Sequence, residues 1–342
     1  MRNGRVWAGA GVVAALAIGA VAIRRRRMKL IASDPEQVAL LTPPAGRSLR
    51  ARSVDGTELH VEVFGADQSA TFVLAPGWTE SLTYWIYVVR MLLARGFRVV
   101  AYDLRGQGDS DPAVGGDYSI ARFGEDLEAV LEASMPAGRQ AVLAGHSLGA
   151  MSIAAWAENH DVNRRACAIA LINTGVGELV ADELLIPVPR VAQLVHRTVP
   201  PRLTLGSHAR LSLVSTPLLD AAIRYVAFGP AASPAQVAFY ERMLLGTDPG
   251  VRADIGIALS ELELSQALPR LTVPTLVIGG DLDRLTPPTH ARRIAAALPR
   301  LERLIVLRDT GHMSPLERPK EVAEALIELA ASVGLGGASV AV

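Results

Sequence analysis

Four short apolar runs, separated by helix-length segments, constrain this chain more than any other feature. They are "TFVLAPG" (71–77), "FRVVAYD" (97–103), "QAVLAG" (140–145) and "CAIALIN" (167–173), with "YWIYVVRMLLARG", "IARFGEDLEAVLEAS" and "GAMSIAAWAENH" between them. Runs that are apolar on both faces need cover on both faces, and an intervening helix brings the chain back parallel to the strand before it. The expected fold class is therefore α/β, a mostly parallel sheet with helices on both faces. Ahead of it, "SLRARSV" and "ELHVEVFG", split by Asp55-Gly56, read as a β-hairpin. The alternation stops after Asn173 and resumes with "VPTLVIGG", a helix from about Pro288, the strand "LERLIVLRD" and the amphipathic helix "RPKEVAEALIELAASVG". A strandless stretch of that length inside an α/β pattern reads as an inserted helical lid. The expected organisation is a core over 50–173 and 268–333, a lid over 174–267 and a frayed tail over 334–342.

The first thirty residues are a separate object. Val6 to Ile23 carries no charge over 18 residues, and Arg24 to Arg27 follow directly. That length and flank predict an N-terminal transmembrane helix over 1–30, followed by a linker over 31–49, with the remaining chain on the cytoplasmic side. The rival reading is a signal peptide cut near Ala20-Val21-Ala22, which would make the protein exported.

Composition excludes several classes. With 34 basic and 34 acidic side chains, the formal charge is zero, so nothing favours a nucleic-acid partner. The single cysteine, Cys167, rules out a disulfide framework and a cysteine-rich metal site. No metal-ligand spacing and no dinucleotide fingerprint stands out, so neither metal nor cofactor is expected.

The chemistry gathers around "GHSLG" (145–149), where a strand must turn sharply into a helix. Gly145 and Gly149 let the backbones cross closely while Ser147 takes a strained conformation that lifts its hydroxyl to the carboxyl edge of the sheet. A nucleophilic serine needs a base, an acid to orient it and donors for an oxyanion. His312 in "RDTGHMSP" stands in a loop after the last strand and is the candidate base. "GGDLDRLTPP" offers Asp283 as the orienting acid, with Asp281 as the fallback; after "CAIALIN" there is only Asn173, an amide without charge. The backbone N–H groups of Trp78 and Leu148 are the candidate oxyanion donors.

With those residues in place, the chain resembles the α/β-hydrolase superfamily, specifically its lidded serine hydrolases of the esterase, lipase and cofactor-free haloperoxidase type. The matching blocks are "APGW" (75–78), "DLRGQGDS" (103–110), "GHSLG", "GGDLDRLTPP" (279–288) and "GHMSP" (311–315), in the order Ser, Asp, His. The resemblance implies that Asp103 and Arg105 shape a loop. One departure is Pro76, where members commonly carry histidine. Relatives acting on epoxides or haloalkanes use aspartate at the elbow, whereas Ser147 implies acyl transfer through an acyl-enzyme. The expected function is hydrolysis of small carboxylic esters, lipophilic if the lid's apolar residues face the substrate. The alternatives are carbon–carbon bond hydrolysis or cofactor-free haloperoxidase or perhydrolase chemistry by the same triad, and a non-catalytic binding module on the same fold.

Overall fold

The computed structural model describes residues 22–67, 69–177 and 215–336. Eight strands build one sheet: β1 (Arg47–Arg52), β2 (Glu58–Phe64), β3 (Thr71–Ala75), β4 (Arg98–Tyr102), β5 (Ala141–His146), β6 (Ala166–Ile172), β7 (Thr275–Gly280) and β8 (Leu301–Leu307). Their spatial order is β1-β2-β4-β3-β5-β6-β7-β8. β1 and β2 form the antiparallel hairpin, β2 joins β4 antiparallel, and the remaining pairs are parallel.

Burial explains these strands. β3, β4, β5 and β7 are buried at every position, as a strand covered on both faces must be. Successive residues then serve opposite layers. Val73 and Leu143 join a core with Phe123, Leu127 and Ile153, while Phe72, Leu74 and Val142 join one with Val88, Leu92 and Leu326. The first core contains α2 (Ile120–Ser134), α3 (Leu148–Asn159) and the inner face of α7 (Pro288–Ala297). The second contains α1 (Ile86–Ala94) and α8 (Pro319–Ser332). β2 alternates half-buried and buried along most of its length, in keeping with its place near the sheet margin.

Between β6 and β7 the described residues form α4 (Pro217–Ala227), α5 (Pro234–Gly246) and α6 (Pro249–Ser260). Each starts at a proline behind a side-chain cap: Thr216, Ser233 and Asp248 accept N–H groups of the first turn, satisfying donors that a helix start leaves open. The other part of the expected lid, residues 178–214, lies outside the described residues, as do residues 337–342 of the tail.

The expected membrane anchor also falls outside them, except for its last residues from Ala22 onward. Among the described residues no helix is long and apolar enough to cross a membrane. Residues 22–32 are helical, and the stretch read as a linker contains a further short helix, Glu36–Leu41. This segment is docked on the insertion. Arg27 pairs with Asp220 of α4 at 2.9 Å and with Glu241 of α5, and Asp34 accepts the Ala235 N–H at 2.9 Å. At least one of the four consecutive arginines is therefore an internal tether.

Candidate active site

The turn from β5 into α3 is as tight as its glycines allow. A Cβ at Gly149 would collide with the Ala75 carbonyl, and one at Gly145 with the Ala150 N–H. Ser147 between them sits at φ 49° and ψ −116°, a left-handed conformation that a serine adopts only when its surroundings fix it. The Ser147 N–H donates to Ile172 O at 2.9 Å and the Thr174 hydroxyl donates to Ser147 O at 2.9 Å, which hold the turn from β6. Ser147 is half-buried and lines a cavity of about 300 Å³.

His312 lines the same cavity from the loop after β8. Its Nδ1 lies 2.8 Å from Asp283 Oδ2, and among the described residues its Nε2 has no hydrogen-bond partner. Asp283 is held by further donors: the N–H groups of Leu285 and Thr286 at 2.9 Å, the Thr286 hydroxyl at 2.8 Å and the Asn173 amide at 2.9 Å. Burial works to raise the Asp283 carboxyl, yet the adjacent imidazole and these donors hold it below the usual carboxylate range. Burial works to lower His312, and the Asp283 carboxylate overcomes it, so the imidazole titrates above its ordinary value. Both shifts favour the charged forms. Asp281 is separate: it is exposed and accepts the Thr310 N–H at 3.2 Å.

Trp78 and Leu148 border Ser147 from two elements. Among the described residues neither backbone N–H meets an acceptor. The Trp78 loop is pinned from below by "DLRGQGDS": Gln107 accepts the Thr79 N–H and donates to Gly77 O at 3.1 Å. Thr79 itself takes φ 62°. Asp103 accepts the Leu82 N–H at 2.6 Å, and buried Arg105 forms a paired contact with Asp126. The block thus shapes the loop without entering the cavity.

Four contributors escaped sequence reasoning. Asn173, at φ 46°, aims its amide at Asp283 and the Gly311 carbonyl. Thr286 bridges Asp283 and His312. Buried Glu80 contacts His146 Nδ1 at 2.9 Å, and Glu317 accepts N–H groups of Gly229 and Gly311. Glu80, three residues beyond Gly77 in a strand-ending loop, was the one with a usable signal. An acid there is well placed to cap its own turn.

The cavity walls away from Ser147 and His312 are apolar: Met151 from α3, Ile223 and Val226 from α4, Leu244 from α5 and Leu259 from α6. Tyr240 adds a hydroxyl 3.0 Å from Thr79 Oγ1. The arrangement can present a polarisable hydroxyl, a proton acceptor and two backbone donors to an uncharged substrate in an apolar chamber.

Residues 72–325 match the family profile described as "Alpha/beta hydrolase family". The chain is 28% identical over 260 residues to a non-heme haloperoxidase of Rhodococcus erythropolis, covering 75% of this chain and 90% of that protein. It is 30% identical over 256 residues to a putative carbamate hydrolase of Variovorax paradoxus, covering 70% and 84%. A thermophilic esterase from Thermogutta terrifontis superposes with a TM-score of 0.66 at 23% identity, covering 84% of this chain and 99% of that one.

Proposed function

Because the chain belongs to the α/β hydrolase family, we propose that it is a serine hydrolase that cleaves small, uncharged carboxylic esters with a lipophilic part. The observation that carries this reading is one cavity in which strained Ser147 and the Asp283-paired His312 share apolar walls. In the proposed reaction Ser147 Oγ attacks the ester carbonyl while His312 Nε2 takes its proton. The oxyanion is met by the N–H groups of Trp78 and Leu148, and His312 returns the proton to the departing alcohol. Water then adds to the acyl-enzyme by the same route, giving the acid and free Ser147.

The helices between β6 and β7 act as the lid, since α4, α5 and α6 supply the acyl-facing wall. In the same proposal, the uncharged run Val6 to Ile23 anchors the hydrolase to a membrane, with the catalytic part on the cytoplasmic side. A second reading has one support: the haloperoxidase relative makes hydrogen peroxide a candidate in place of water at deacylation, which would release a peracid. Incubating the full chain with a panel of p-nitrophenyl esters of increasing acyl length tests the main reading. Turnover should favour medium over very short chains; no turnover of any ester sinks it. Peracid formation from an ester plus hydrogen peroxide separates the second.

A further inference from the structure

Glu80 is 2% exposed and has no part in the reaction just described. Its Oε2 accepts the Gly77 N–H, one residue before Trp78. Its Oε1 lies 2.9 Å from His146 Nδ1, and His146 is wholly buried. On the far side of that ring, Nε2 lies 2.9 Å from the backbone carbonyl oxygen of His312. A carbonyl can only accept, so Nε2 carries a proton; the Nδ1 contact holds a second proton between imidazole and carboxylate. The bridge therefore donates from both ring nitrogens; an amide at position 80 would itself donate to Nδ1, leaving a neutral ring and replacing the charge-assisted contact with a weaker one. The Tyr84 ring lies 4.6 Å from His146 and closes its outer face.

We infer that Glu80 and His146 are positioning residues for acyl transfer, a carboxylate–imidazole bridge that ties the oxyanion loop at Gly77 to the backbone of His312. The two loops approach Ser147 from different strands, β3 and β8, and no sheet register links them directly. The bridge fixes their spacing. Because it acts on groups that engage the tetrahedral intermediate more than the bound ester, its loss should fall on kcat and spare KM. Ångström-scale misplacement of reacting groups costs up to about 100-fold, so Glu80→Gln should lower kcat by roughly 10- to 100-fold.

This inference rests on the serine-hydrolase reading, and the test separates the two. Full-length wild type and Glu80→Gln are compared for ester kcat and KM and for low-field imidazole N–H resonances in proton NMR. The wild type should show two such resonances from carboxylate-paired Nδ1–H groups, one lost in Asp283→Asn and the other retained there but lost in Glu80→Gln. A Glu80→Gln protein with unchanged kcat, or with kcat and KM changed in equal proportion, overturns the inference. So does a wild-type spectrum whose only low-field resonance vanishes in Asp283→Asn, a result that stands even if the Glu80 variant does not fold. A wild type that turns over no ester defeats the hydrolase reading instead, while the resonance pattern still decides the bridge.

Discussion

Two buried carboxylate–imidazole pairs lie side by side in this molecule, Asp283–His312 and Glu80–His146, with their rings 4.8 Å apart. The residue types and the Nδ1 contacts are alike. The difference lies at the second nitrogen. His312 Nε2 has no partner among the described residues and its ring lines the cavity, whereas His146 Nε2 is spent on a backbone carbonyl. One ring is left able to accept a proton and the other is committed to donating one. Chemical role follows from where the last lone pair points.

The largest losses should come from substitutions in the first pair and at Ser147. Ser147→Ala should abolish ester turnover, by about 10⁴-fold or more, with thermal unfolding little changed. Asp283→Asn should lower kcat by about 10⁴-fold, because the amide leaves His312 in the wrong tautomer. Glu80→Gln sits below both, as its bridge positions without exchanging protons. Arg27→Ala acts from outside the two pairs. It leaves Glu241, 5% exposed, without its cation, and loosens α5, which carries Tyr240 and Leu244 of the cavity wall. A rise in KM of up to about tenfold, equal to about 1.4 kcal/mol, should appear in steady-state assays, with kcat nearly unchanged. Asp281→Asn, at an exposed position, should change stability by less than about 0.5 kcal/mol and leave kcat unaltered.

The Asp283–His312 pair should also be visible in the pH response. Burial works to lower His312, but its contact with Asp283 and the more distant charges of Glu80 and Glu317 outweigh it, and its imidazole titrates above the ordinary value. A raised base contributes stability that is full below its unfolded pKa and is lost as pH rises through the folded one. The lowered Asp283 contributes stability above its unfolded value that is lost as pH falls through the folded one. The charged pair thus stabilises most in mildly acidic solution, where His312 is protonated and cannot act as base. Thermal midpoints of wild type and Asp283→Asn should differ most there and converge as activity rises.

The sheet was legible because β3, β4, β5 and β7 are buried throughout and their apolar runs show it directly. Ser147, Asp283 and His312 stood out because each follows a strand end at a turn with glycine or proline nearby. What stayed hidden depends on contacts between distant loops. Asn173 could be set aside as uncharged, yet its amide reaches 110 positions along the chain to Asp283. Arg27 read as a flank charge, while the fold makes it an ion-pair partner of two helices about 200 residues away. His146 stands next to the serine in sequence, and nothing in one dimension could show that it faces both Glu80 and the His312 carbonyl.

Covalent labelling decides whether Ser147 is a nucleophile activated by His312. The full chain is treated with a fluorophosphonate across a pH series, and the modified residue and its rate are read by intact mass and peptide mapping. A single adduct is expected on Ser147, absent in Ser147→Ala, formed at a rate that climbs with pH through a midpoint above about 6.5. An adduct on another residue, or a Ser147 rate flat from acid to neutral pH, would contradict it.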